Sequence, residues 1–309
     1  MWLGIIHERI GSTTLDRAVI SNDFFYIDCS MNFNSSIDSI PYTSLSYLNG
    51  IPSIDVAGSS VVGPYNDIIL TFGGSSGGNY DYQLIYTFDT KNSTWNSLTT
   101  YGILPPIRKG VRPVFSYGRL YAFGGFNNFN GAYYNSLDML DTRFNWSNIT
   151  LSNTPPGRDG YVSALLSDGN ILYLGGYVSE QTVGLDIVYL YDTNNNLWKN
   201  MSTAGTTPES RGYFTSVLKS NRGYYHAAFP TLAVLDLSSN PFTWISQEVS
   251  GNFIPPHLLL HTANVVHNYM ILAYAAVVST ASLIYGISAF YKWYKVNDAS
   301  NKFVATPGT

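Results

Sequence analysis

Arginine recurs once in roughly fifty residues, at Arg108, Arg158 and Arg211, each time in a loop just before an apolar strand. A guanidinium is a planar fork of donors that stays charged at any physiological pH and grips a carboxylate with two parallel hydrogen bonds. Two uses follow. Each arginine bridges to an aspartate of a neighbouring unit, or the three line one face and hold acidic side chains or a glycan carboxylate. We take them as candidate binding-face residues. His257 and His261 stand at i, i+4 with His267 beyond, so a helix there would offer two imidazoles to a metal. No carboxylate or cysteine lies in that stretch to complete a ligand set. The run Gly73-Gly74-Ser75-Ser76-Gly77-Gly78 has the composition of a phosphate loop, yet no Gly-Lys-Ser or Gly-Lys-Thr follows, and it reads as a turn between strands. No nucleophile with a base and no catalytic carboxylate pair emerges, so no catalytic, metal or cofactor-binding residue is assigned.

These residues must be positioned by strands and turns. Of 309 residues, 45% are hydrophobic, enough for a sizeable core, while only 12% are charged and Tyr (25) and Gly (27) are abundant. The 16 lysines and arginines are scattered through a chain of net charge −4. That distribution excludes a nucleic-acid partner. The single cysteine, Cys29, excludes an internal disulfide and reads as a small buried apolar residue.

A repeat of about fifty residues organises the chain. One unit carries Ile68-Ile69-Leu70-Thr71-Phe72-Gly73-Gly74, then Ile85 to Asp89-Thr90, then Trp95. The second carries Leu120 to Phe123 with Gly124-Gly125, then Leu137 to Asp141-Thr142, then Trp146. In the third the same places hold Ile171 to Leu174 with Gly175-Gly176, Val188 to Asp192-Thr193, and Trp198. A fourth, eroded copy keeps Arg211, Ala233 to Leu237 and Trp244, but has Ala227-Ala228 in place of the glycine pair. Each unit reads as a four-stranded antiparallel meander. The glycines serve where the backbone needs a positive φ or a close approach, and the tryptophans pack one unit on the next. Pro105-Pro106, Pro155-Pro156, Pro208 and Pro255-Pro256 punctuate the unit boundaries. Asp23 to Asp28 looks like the third strand of an earlier unit whose first half is missing.

An apolar strand ending in Gly-Gly, a third strand closing in Asp-Thr and a Trp about twenty residues after the glycines together resemble the kelch repeat. The resemblance implies an all-β, kelch-type β-propeller of about four to five blades, which the sequence supplies incompletely, and a binding scaffold for a protein or carbohydrate ligand. Open terminal blades would expose apolar edges and favour association with another chain. Kelch blades also occur in copper oxidases similar to galactose oxidase, which need two tyrosines, one cross-linked to a cysteine, and two histidines. That set does not map onto this chain, and no cofactor is expected.

The expected organisation is a non-repeat segment at 1–21, the repeat region at 22–268, a transmembrane helix at 269–291 and a short basic tail at 292–309. Met270 to Phe290 is free of charge, is followed by Lys292 and Lys295, and contains the small residues Ala275, Ala276, Ser279, Ala281, Ser282 and Gly286. The competing reading is a degenerate last blade, in which Trp293 follows Trp244 by one period and His261 occupies the place of Tyr161 and Tyr213. The missing Gly-Gly and Asp-Thr favour the helix, hence a single-pass membrane protein with its propeller on the outer or lumenal side. Met1 to Ile6 is too short an apolar run for a signal peptide. Sequons at Asn34, Asn92, Asn145, Asn148 and Asn200 are no more than an Asn-, Ser- and Thr-rich chain carries by chance.

Overall fold

The computed structural model describes residues 2–3, 24–28, 42–50, 59–62, 68–72, 85–219, 223–225 and 233–246, and the backbone of short strands at 258–259, 262–266, 269–273, 276–279, 282–284 and 302–305. Every regular element among them is a strand, as expected for a kelch β-propeller. The first unit is an antiparallel sheet of Ser59–Val62, Ile68–Phe72, Ile85–Asp89 and Thr94–Ser97 in sequence order. Val114–Ser116, Arg119–Phe123, Leu137–Leu140 and Asn145–Ile149 repeat it in the second unit. The third is Val162–Leu165, Asn170–Leu174, Ile187–Asp192 and Leu197–Ser202.

The repeated residues have the roles their chemistry suggests. Gly124 and Gly125 have φ of 67° and 99°, and Gly175 and Gly176 have 67° and 96°. A Cβ on Gly124 would lie 2.5 Å from the Arg158 carbonyl oxygen and one on Gly175 2.9 Å from that of Arg211, because the loop opening the next unit crosses at these points, while one on Gly176 would lie 2.5 Å from the Asp159 carbonyl oxygen in the loop that opens its own unit. Gly73 and Gly74 lie outside the described residues. The aspartate ending each third strand folds the turn that follows. Asp89, Asp141, Asp192 and Asp236 each accept a bond at Oδ1 from the backbone N–H two residues on, at 2.8, 2.8, 3.0 and 2.9 Å.

Each tryptophan of the repeat seals the seam to the unit before it. Trp95 meets Phe24 and Phe88, both at 5.1 Å between ring centroids. Trp146 packs with Ile85 of the first unit and with Val111, Leu120 and Ala122. Trp198 stands among Phe123, Tyr161, Tyr173 and Tyr191. Trp244 packs on Leu172, Leu174 and Val188, and its Nε1–H donates to the Leu185 carbonyl oxygen at 3.0 Å. All four are at least nine-tenths buried. The core is therefore a series of seams between units, each worth several kcal/mol of apolar burial at roughly 1.5–3 kcal/mol per large side chain.

Three features differ from the plain four-stranded reading. Tyr101–Gly102, in the linker before the second unit, adds a fifth strand parallel to Asn145-Trp146, and Ala204–Gly205 pairs in parallel with Thr243-Trp244 in a two-stranded sheet. In the eroded fourth unit, the place between Ser216–Lys219 and Ala233–Asp236 is taken by Lys302–Ala305. Within the span expected to form a membrane helix, the described backbone is extended: Tyr269–Ala273, Ala276–Ser279 and Ser282–Ile284 are strands. Thr262–Val266 pairs with Tyr269–Ala273 as an antiparallel hairpin. The remainder of 269–291 lies outside the described residues, and no helix among the described residues is long and apolar enough to cross a membrane.

Gly176→Ala is expected to lower the urea midpoint of unfolding, because the left-handed backbone alone costs a residue with a Cβ roughly 1–3 kcal/mol and the Cβ also strikes the Asp159 carbonyl. A variant as stable as the parent would show that the loop crossing is not tight.

Candidate interaction face

The three recurrent arginines are brought to equivalent places but do not line a surface. Arg108, Arg158 and Arg211 are only 1%, 1% and 3% exposed, which corrects the expectation of a ring of guanidinium groups on one face. Their backbones explain the burial. Gly125 N–H donates to the Arg158 carbonyl at 2.7 Å and Gly176 N–H to that of Arg211 at 2.9 Å, so Arg158 and Arg211 each start beneath the glycine pair of the preceding unit.

Their side chains are held in three different ways. Arg108 Nη2 lies 2.5 Å from Asp138 Oδ2 and 3.2 Å from the Ala122 carbonyl, while Nη1 donates to Ser136 Oγ at 2.8 Å. Asp138 belongs to the unit that Arg108 opens, so the pair ties a unit to itself and not, as expected, to its neighbour. Burial pushes the Arg108 guanidinium down from its ordinary value and Asp138 opposes the shift. In the third unit Tyr189 stands where the second has Asp138, and Arg158 stacks on its ring at 4.6 Å while donating to the Gly175 and Pro156 carbonyls. In the fourth unit that strand position is Ala233; Arg211 donates to the Glu209 carbonyl at 2.8 Å, and burial lowers its pKa to about 10, leaving it charged at neutral pH. They are struts.

What reaches the surface is the hairpin braced by the next residue, Lys109 (half-buried) in the second unit and Asp159 (buried) in the third. Lys109 exchanges backbone hydrogen bonds with Phe126 at 2.9 and 3.0 Å, and Asp159 exchanges them with Tyr177 at 3.1 and 2.8 Å. Phe126 and Tyr177 each follow a glycine pair directly and open short hairpins, Phe126–Asn127 with Ala132–Tyr133 and Tyr177–Val178 with Gln181–Thr182. Phe126 and Tyr133 pack at 4.7 Å, and Lys109 Nζ lies 5.4 Å from the Phe126 ring centre. The two hairpins touch, because Glu180 N–H donates to the Tyr133 hydroxyl at 3.2 Å. Phe129, at the tip of the first, is 58% exposed.

Tyr213 completes this face. Gly110, Gly160 and Tyr213 have φ of 68°, 59° and 49°, and Gly160 N–H donates to Gly110 O while Tyr213 N–H donates to Gly160 O. Tyr213 is thus the counterpart of Gly160, and Phe214, fully buried, is that of Tyr161, one residue away from the expected register. Held in a left-handed conformation, Tyr213 directs its hydroxyl to Asp159 Oδ2. Burial pushes the Asp159 carboxyl up, against the Tyr213 hydrogen bond and the charge of Lys109. The sequence reading missed this face although a signal existed: an aromatic residue, Phe126 or Tyr177, directly after two of the three glycine pairs.

Residues 10–227 match the KLHDC2/KLHL20/DRC7 Kelch-repeats domain, more than half of the chain. The chain belongs to the kelch-repeat family. It is 26% identical over 165 residues to Kelch domain-containing protein 1 of Mus musculus, covering 45% of this chain and 41% of that one. It is 25% identical over 172 residues to the flagellar outer arm dynein alpha chain of Chlamydomonas reinhardtii, covering 51% and 4%. Adagio protein 3 of Arabidopsis thaliana is 25% identical over 203 residues, covering 61% and 32%. The matched stretch thus spans less than half the length of each of these relatives. Kelch repeats are generally protein-interaction scaffolds rather than enzymes. Among the described residues no group of three or more His, Cys, Asp or Glu is placed to hold a metal, and His257, His261, His267 and Cys29 lie outside them.

A carboxyl raised in the folded state contributes stability that is present below its unfolded pKa, near 3.9, and lost as pH rises through the folded value. Asp159→Asn, neutral throughout, is therefore expected to gain on the parent protein as pH rises from about 4 to 7 in urea titrations. A difference independent of pH would show that the carboxylate is well solvated.

Proposed function

We infer that this kelch array is a protein-binding scaffold and that partners contact the face built from the two hairpins. The observation that carries this reading is that the hairpins are braced by the Arg-strutted loops while Phe129 and Glu180 on them are exposed, with Tyr133 and, from the loop, Lys109 half-buried beside them. A rigid aromatic anchor with a polar rim is the composition that concentrates binding energy. A carbohydrate ligand has no comparable support. With a photo-reactive side chain at position 129, purified full-length chain should cross-link partner proteins, and Tyr133→Ala together with Glu180→Lys should reduce that yield at least tenfold. Equal yields from position 129 and from a probe at Tyr47, an exposed turn residue outside the two hairpins, would sink the assignment of the face.

A second reading, membrane anchoring of the scaffold, rests on the charge-free run from Met270 to Phe290 with Lys292 and Lys295 after it. The pairing of Lys302–Ala305 with Ala233–Asp236 speaks for a further unit instead, since a single crossing between them would put the two strands on opposite sides of the bilayer. Carbonate extraction is expected to release the full chain. Retention of the full chain, with release of one ending at Pro255, would establish the anchor.

A further inference from the structure

The linker that enters a unit passes that unit's outer strand, and it does so in two ways. Before the second unit, Tyr101 N–H donates to the Phe144 carbonyl and Ile103 N–H to that of Trp146, both at 2.9 Å, completing the parallel fifth strand. Before the fourth, Ala204 N–H donates to Phe242 O at 2.8 Å in the same arrangement. Gly102 and Gly205 each stand seven residues after a repeat tryptophan, Trp95 and Trp198, at φ of 83° and 79°. A Cβ would lie 2.3 Å from the Trp146 carbonyl oxygen at the first and 2.1 Å from that of Trp244 at the second. Only glycine permits that approach.

The same position before the third unit, seven residues after Trp146, is Asn153, at φ of 64°. Its Cβ forbids the contact. The sheet of the third unit accordingly ends on Leu197–Ser202 with no linker strand beside it. Between edge and linker lies a groove of about 630 Å³ lined by Asn153, Pro155, Pro156, Trp198, Lys199 and Asn200 among others. Lys199 is the one charged side chain lining it. It is 56% exposed and only 3.4 Å from Asp192 Oδ2, a surface pairing of little strength that leaves the ammonium available.

We propose that this edge docks an extended segment of a partner protein, added as a parallel strand to Leu197–Ser202 in the place the linker fills in the second and fourth units. The template is the chain's own: the segment donates to the Asn196 and Trp198 carbonyls, the counterparts of Phe144 and Trp146, and carries a glycine against Trp198. A carboxylate beside Lys199 sets its charge. Main-chain pairing supplies affinity in such strand addition, and the flanking groove supplies selectivity. The proposal rests on the protein-binding reading but uses a different surface from the hairpin face.

The test is fluorescence anisotropy of a labelled peptide, Ser-Thr-Tyr-Gly-Ile-Glu-Glu, titrated with the full-length chain. Saturable binding is expected. Asn153→Gly lets the protein's own linker close onto Trp198, and should weaken binding at least tenfold while the thermal midpoint stays equal or rises. Hydrogen exchange should then show new protection of the Thr154 amide, the counterpart of Ile103. Lys199→Glu, on an exposed side chain, should weaken binding severalfold without affecting folding. No binding to the parent protein, or equal binding by all three proteins, overturns the proposal. Continued cross-linking from position 129 in that case would show that the scaffold reading survives and that only this site has failed.

Discussion

The contact on which the structure depends is backbone to backbone, between the glycine pair of one unit and the arginine loop of the next. Gly125 meets the Arg158 carbonyl and Gly176 that of Arg211, and the Gly110, Gly160 and Tyr213 backbones bond in series across the same seams. Buried amides must find partners, and a pair of glycines in left-handed conformation brings them within reach with no Cβ in the way. Units stitched in this fashion cannot slide past one another. The tryptophan of each unit then closes the outer part of the same seam, so polar and apolar contacts enforce one spacing.

The buried arginines follow from that geometry. A loop that starts beneath a glycine pair directs its side chain into the unit, and a long side chain with many donors fills the space while satisfying carbonyls that would otherwise be orphaned. The same strut is closed by Asp138 in the second unit, by the ring of Tyr189 in the third and by the Glu209 carbonyl in the fourth, where Ala233 holds the equivalent strand position. One position tolerates an ion pair, a stacked ring or a small residue because the backbone crossing is already set. The charge is structural, and it leaves the surface to the residues beside it.

Variation between units is where binding surfaces arise. The hairpins after the glycine pairs differ in length and composition without disturbing the sheets, since loops at the end of a strand can change while the seam below is kept. Tyr213 in place of a glycine adds a hydroxyl on Asp159 at the cost of an unfavourable φ. With Asn153 in place of a glycine, the third unit's sheet has four strands among the described residues and ends on Leu197–Ser202. In each case one side chain alters which backbone groups are covered.

Much of the architecture was legible in residue order, because period and local chemistry act within a unit. The spacing of Gly-Gly, Asp-Thr and Trp sufficed for an all-β kelch array, and the glycine φ values, the aspartate turns and the packed tryptophans are local consequences of those residue types. Tertiary structure decided what those positions face. A periodic arginine reads equally as strut or surface until the crossing of the next loop is known, and a one-residue shift at Tyr213 is invisible where glycine and aromatic residues alternate. The apolar run at 269–291 could be lipid-facing helix or buried strand, since hydrophobicity measures removal from water and not what replaces it. Sequence order determines which groups a unit offers, while the approach of neighbouring units determines which of them remain in contact with solvent.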